Sequence, residues 1–316
     1  MQLAKKIFSR FGFAQLAGEI VIILVSLAMV PLVKPEVLQK LASTAGLSFV
    51  LLLTYVPNVF FLIAFWFIVR KLPKTEWQKT PMRFGSLLSV FVMMYAVSSI
   101  FNGLGLSISG AAPAGGSEQL DMIGKIVGTK LLVGFLIPAV IGPILEELVF
   151  RKLMIDRLHQ YGETTVIVFT ALCFGLFHGN LTQFLYATSV GLFLGYIYCK
   201  TGKVSLTILM HILLNTLSSS LVLLLPLMEG DSESSPLGAI AILAMFILII
   251  ILFISGFIQL IRHLKKKDLV LDDATPEAVP KKEVLKTVYL NPGVVLLFVF
   301  SIGSILADLF QISLPF

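Results

Sequence analysis

Apolar residues in this chain come in long unbroken blocks. They do not alternate as in half-buried strands, nor recur every third or fourth position as in soluble amphipathic helices. Nine such blocks lie at approximately 14–33, 46–69, 85–108, 128–150, 164–179, 182–199, 204–226, 237–261 and 288–311. A helix of about 17–25 mostly apolar residues crosses a hydrocarbon core about 30 Å thick. Helices suit that medium because they satisfy every backbone polar group within one segment. The pattern predicts an all-α, polytopic membrane bundle of about eight or nine transmembrane helices. The fifth block is the shortest. The first is too long for a signal-peptide core and has no small-residue cleavage site, so it reads as a retained span. Residues 1–12 precede it as a basic amphipathic stretch expected at the headgroups. In the sixth block, Gly191 and Gly195 are four apart and predict close helix packing.

Composition narrows the function classes. Of 316 residues, 57% are hydrophobic and 13% charged, against about 45–50% and about 25% in soluble domains. That excludes a soluble globular enzyme, a disordered protein and a disulfide scaffold. The net charge of +6 fits a bilayer better than nucleic acid, because cytoplasmic loops collect Lys and Arg. Basic loops alternate with neutral or acidic ones along the chain: Lys5, Lys6 and Arg10; then Arg70, Lys71, Lys74, Lys79 and Arg83; then Arg151, Lys152 and Arg157; then Lys200 and Lys203; then Arg262–Lys267 with Lys281, Lys282 and Lys286. Glu229, Asp231 and Glu233 mark an acidic loop. The expectation is a multi-pass cell-membrane protein with its N-terminus cytoplasmic and its C-terminus outside. Three parts are expected: membrane helices at 1–124, a core at 125–226, and C-terminal helices at 227–316 with a charged cytoplasmic linker at 262–287. Cys173 and Cys199 both lie in apolar runs and offer no Cys-rich metal site.

Ionisable groups inside spans are costly and mark functional sites by default. Here they concentrate in three places. Glu146-Glu147-xxx-Arg151 ends the fourth block; Glu147 and Arg151 share a helix face, while Glu146 points about 100° away and has no partner on its own helix. Phe174-xxx-His178 ends the fifth, followed by a turn at Gly179-Asn180. His211-xxx-Asn215 places both side chains on one face of the seventh. The other two histidines, His159 and His263, fall in basic loops and are expected to be solvated. At a rise of about 1.5 Å per residue, Glu146, His178 and His211 come out at similar depth. Glu19, Asn58, Asn102, Gln183 and Asp308 are scattered singly and read as packing or interfacial residues. A carboxylate, two imidazoles and an amide in a low-dielectric chamber can activate water and hold an oxyanion. Glu146, His178 and His211 could equally hold a divalent metal such as zinc; a metal-free route stays open beside it. HExxH, GxSG and GxGD are all absent.

These three motifs, in this order over about 70 residues, resemble EExxxR, FxxxH and HxxxN of the CAAX-protease and bacteriocin-processing family. Its members are multi-pass intramembrane endopeptidases that include the eukaryotic prenyl-protein protease. The resemblance covers roughly residues 125–225. It implies that Glu146 activates the attacking water and that Glu147 and Arg151 support the motif. By the same likeness His178, His211 and Asn215 bind the water, the oxyanion or a metal. The implied partners are a peptide or lipidated protein substrate and membrane lipids, with no nucleic acid; nothing sets the oligomeric state. A second class is a non-catalytic immunity or scaffold protein for a bacteriocin-like peptide, which the family also includes. A transporter is disfavoured, since internal repeats and paired broken helices are lacking. The chain ends Ser313-Leu314-Pro315-Phe316 without a CAAX cysteine.

Overall fold

The computed structural model describes residues 1–29, 55–111, 137–224 and 236–312. Among these the chain is helical and without strands. The main helices are α1 (Gln2–Met29), α2 (Val56–Val69), α3 (Phe84–Ala111), α4 (the helical path 137–158), α5 (Glu163–Leu176), α6 (Leu181–Thr201), α7 (Val204–Leu224), α8 (Pro236–Lys266) and α9 (Pro292–Leu309). Helix fills most of the described part of each of the nine apolar blocks; Tyr55, residues 177–179, 290–291 and 310–311 form turns or bends. The starts of the second and fourth blocks (46–54 and 128–136), the end of the first, both expected part boundaries, the acidic loop and Ser313–Phe316 lie outside the described residues.

Four helical segments, Gln2–Met29, Phe84–Gly110, Gly238–Lys266 and Pro292–Leu309, are long and apolar enough to cross a membrane by length and composition. Val56–Val69, Glu163–Leu176 and Val204–Ser218 are shorter apolar helices. The chain is thus a multi-pass membrane protein. In α8 only 6% of the most apolar window is buried by protein. So apolar an outer surface is stable against lipid tails and not against water.

The inner bundle is built from small residues and aromatic rings. α6 packs along α5 and α3, α1 packs on α2 and α9, and α8 lies on α3. A Cβ on Gly191 would come 2.8 Å from the Ala171 backbone, and Gly195 faces Ile167, so the expected close approach of α6 is realised against α5. Phe8 meets Phe169 edge-on at 5.0 Å and Tyr161 at 5.3 Å. Residues 1–12 are therefore part of α1, with Ile7, Phe8 and Phe11 in the core; protein, rather than headgroups, covers their apolar side. Phe61 of α2 meets Phe177 at a tilt, with centroids 4.8 Å apart, and Phe150 of α4 meets Phe174 at 5.2 Å. Glu19 takes a packing role, accepting from Gln15 at 2.8 Å while Gln15 also donates to the Cys173 carbonyl.

α4 is not a regular helix. Ile137–Ile141 is π-helical, Gly142–Glu147 is α-helical, and Leu148–Ile155 is π-helical again before a short α turn, Asp156–Leu158, and a 3₁₀ turn at His159–Tyr161. Pro143 has no backbone N–H to offer its preceding turn, which favours wider pitch there. The path thus continues well past the expected end of the span at 150. At Gly162, φ is +97°, a conformation that favours glycine. The chain then reverses into α5.

The basic-loop end differs from expectation at both histidines. His159 is buried and stacks on Trp77 with centroids 4.3 Å apart, and its Nε2 lies 3.3 Å from Glu163 Oε1. Glu163 also accepts from Lys200 Nζ at 2.5 Å and from the Asp272 backbone N–H at 2.7 Å. His263 bonds Asp268 and Ser89. Both rings are fixed because the linker folds back: Asp273 caps α5 through the Thr164 N–H at 2.9 Å and hydroxyl at 2.6 Å, and Val279 donates to the Tyr161 carbonyl. Residues 268–280 therefore form a strap over the α4–α5 turn. Replacing Glu163 by Ala strands His159 and Lys200 and should cost about 3 kcal/mol. It should also expose the strap, read as faster limited proteolysis within 268–280 and a lower unfolding temperature in detergent.

Candidate active site

The unequal surroundings of two adjacent carboxylates organise this site. Glu147 is fully buried and its Oε2 lies 3.1 Å from Nε of Arg151, which is equally buried. Its other oxygen, Oε1, lies 3.2 Å from His211 Nδ1 across on α7. Glu147 thus joins a cation one turn along its own helix to an imidazole on another. Glu146, next along the chain, faces elsewhere: its side chain is 20% exposed and its Oε2 is 3.7 Å from His211 Nε2. The single His211 ring therefore sits between both glutamates, one at each nitrogen.

Phe174, the first residue of the second motif, is the spacer. Its ring is edge-on to His178 at 5.1 Å and to His211 at 5.7 Å, and Arg151 Cζ lies 5.2 Å over its face. A cation over the ring face, and imidazoles nearly perpendicular to the ring, are arrangements that aromatic quadrupoles favour. His178 is held where α5 ends, with Nδ1 2.9 Å from the Phe174 carbonyl. A carbonyl only accepts, so Nδ1 carries the proton and Nε2 is left as an acceptor. The carboxylate of Glu147 sets His211 in the same tautomer. Gly179, at φ +67°, and Asn180, whose side chain caps α6 by accepting from Gln183 N–H at 2.9 Å, make the sharp turn beyond His178. Asn215 stands one turn along α7 from His211. It is half-buried, and its amide is uncommitted among the described residues.

The structure thus gathers Glu146, Glu147, Arg151 and His211 directly, places His178 against the same phenyl ring, and sets Asn215 on the same helix as His211. Sequence reasoning missed Phe174 as an organiser, although it was in the motif, because an aromatic residue in an apolar run carries no distinguishing signal. It also missed Tyr55, whose ring and hydroxyl face Gly142 and the Glu146 carboxylate.

Donor spacing tests the metal reading. Among the described residues, the His, Cys, Asp and Glu group whose donor atoms all lie within 4.8 Å of one another is His159, Glu163 and Cys199. Glu146, His178 and His211 offer the right kinds of donor, and their donor atoms do not form a group of that closeness. In the His159 group, Glu163 already takes Lys200, His159 and a backbone N–H. Those bonds complete a structural clamp.

Comparison with known proteins falls on this segment. Residues 128–217 match the family model described as type II CAAX prenyl endopeptidase, Rce1-like. That stretch contains all three motifs, and the resemblance they carry is borne out. A curated protein of Bacillus subtilis (strain 168), named "Putative membrane peptidase YdiL", is 32% identical over 104 residues. The alignment takes in 32% of this chain and 41% of that protein, so the chain spans less than half the length of this relative. No solved structure matches the chain.

Substitutions at the two carboxylate sites should differ in cost. Arg151→Ala leaves the Glu147 charge buried and unpaired and should cost about 3–5 kcal/mol. Glu146→Gln, partly exposed and without a cationic partner, should change stability by less than about 1 kcal/mol. Thermal unfolding of the two purified variants in one detergent checks the contrast.

Proposed function

We propose that the chain is an intramembrane endopeptidase in which Glu146 is the general base for a water that attacks a peptide carbonyl. The observation supporting this most is the division of labour between the paired carboxylates. Glu147 is committed on both oxygens to Arg151 and His211, while Glu146 keeps a free carboxylate beside the His211 Nε2 lone pair. A water about 2.8 Å from both Glu146 Oε2 and His211 Nε2 closes a triangle on their 3.7 Å separation.

In this reaction Glu146 takes one proton from that water as its oxygen bonds to the carbonyl carbon. His211 accepts a hydrogen bond from the second water proton and so aims the attacking lone pair. The carbonyl π electrons move to oxygen, and the Asn215 amide donates to that oxyanion. When the C–N bond breaks, Glu146 returns its proton to the departing nitrogen, leaving a carboxylic acid and an amine. His178 bounds the same chamber with its Nε2 as a further acceptor. No step is routed through a metal.

The family match over residues 128–217 supports a membrane-associated substrate class. A peptide presented at a membrane helix bundle is itself membrane-associated, and a lipidated C-terminal segment ending in a CAAX sequence is the first candidate. The catalytic core lies within residues 125–226, and the chain works with its N-terminus in the cytoplasm and its C-terminus outside.

The test uses purified protein in detergent and an internally quenched peptide ending in a farnesylated CAAX sequence. Wild type should cleave it, and Glu146→Gln should lose at least about 10²-fold in kcat. Asn215→Ala should lose about 10²–10³-fold. Activity should survive exhaustive chelation and dialysis. Full activity in Glu146→Gln would sink the reading, and loss on chelation restored by one metal would replace its metal-free step.

A further inference from the structure

The two oxygens of Glu146 face different neighbours. Oε2 looks to His211 on α7. Oε1 lies on the other side, 3.8 Å from where a Cβ on Gly142 would stand, and the Tyr55 hydroxyl is 3.7 Å from that same point. Glycine at 142 therefore leaves room between α4 and the start of α2. That side holds a cavity of about 10 Å³, lined by Asn58, Phe61, Gly142, Leu145, Glu146, Phe150 and Phe177. About 10–15 Å³ is the space of one water.

Two of its lining residues, Glu146 and Asn58, carry polar side chains, and the others are apolar. Among the described residues Asn58 has no hydrogen-bond partner, and Phe61, Phe150 and Phe177 offer none. A water there can donate to Glu146 Oε1 and accept from Asn58 Nδ2, satisfying both groups. A carboxylate left with an unsolvated oxygen would instead rotate towards whatever donor it could find.

We infer that Asn58 is a positioning residue: it holds one water against Glu146 Oε1 and so keeps Oε2 aimed at His211 and the substrate chamber. The residue lies on α2, outside the three motifs and outside the matched segment 128–217. The proposal differs from the packing or interfacial role expected of it. The inference rests on the assignment of Glu146 as the base. In this arrangement α2 sets the direction of that base through a water, without touching substrate.

The experiment compares Asn58→Leu, close in shape but with no polar atom, with Asn58→Ser, which keeps a hydroxyl and makes room for a second water. With the farnesylated CAAX reporter, Asn58→Leu should lower kcat about 10–100-fold, the usual effect of removing an outer-shell partner, with KM changed less than twofold. Asn58→Ser should recover most of the loss. A second readout needs no substrate: the infrared carboxylate band that vanishes in Glu146→Gln should shift in Asn58→Leu and return in Asn58→Ser. Wild-type kcat with an unshifted band in Asn58→Leu would overturn the inference. So would a loss that Asn58→Ser does not recover, since that marks a packing role. If Glu146→Gln is inactive while Asn58→Leu is normal, only this inference fails; if Glu146→Gln is fully active, the base assignment itself fails.

Discussion

The Glu147–Arg151 pair is the interaction on which the rest of the site depends. Two opposite charges with no exposed side-chain surface are tolerable in a membrane bundle only as a pair, because either alone would be an uncompensated charge in low dielectric. The pair lies within one helix, so it forms as α4 forms. Its remaining carboxylate oxygen then reaches across to His211 and fixes α7 in height and rotation. Arg151 in turn lies over Phe174, whose ring stands nearly perpendicular to both histidine rings. One intrahelical ion pair thereby orders side chains from three helices.

The irregular pitch of α4 belongs to the same constraint. The carboxylates occupy a six-residue α-helical segment between two π-helical ones. Wide turns cost hydrogen-bond geometry and persist where the surroundings hold them, often at functional sites. Here the holding contacts come from both ends. The Arg151 pair anchors the site end. At the other, Tyr198 donates to Asp156 at 2.6 Å, and Arg157 donates to the Val69 carbonyl that ends α2. The strap over the α4–α5 turn adds Glu163 and Asp273. A distorted helix is thus pinned on either side of its distortion, and the position of Glu146 is a consequence of that pinning.

Much of the fold was legible in the sequence because the signal is strong in lipid: an apolar run of sufficient length has few alternatives to a helix. The motif residues were legible for the complementary reason, since charge is so scarce that Glu146, Glu147, His178 and His211 stand out. What could not be read depends on contacts between distant segments. His159 lies in a stretch as basic as any solvated loop, and only its stack on Trp77 and the return of residues 268–280 bury it. Phe174 is one of 25 phenylalanines, and no spacing rule says which of them will separate two imidazoles. The basic amphipathic look of residues 1–12 was real, but the apolar side it predicted is covered by α2, α5, α9 and the α4–α5 turn.

The same logic explains why Asn58 was passed over. An isolated amide near the start of an apolar helix usually packs or sits at the interface, and nothing along α2 distinguishes it. Its proposed role depends on Gly142, 84 positions later, where the missing side chain leaves a one-water space between the helices. A base needs direction as well as a free lone pair, because a carboxylate can rotate about its last bond. Glu147 is held by direct partners at both oxygens. In the proposed reaction Glu146 is not held that way, since a direct cation on it would take the lone pair that the proposed step uses. A neutral amide acting through a water restrains rotation while leaving the charge uncompensated. That requirement places the second support for the site outside the motif helices, on α2.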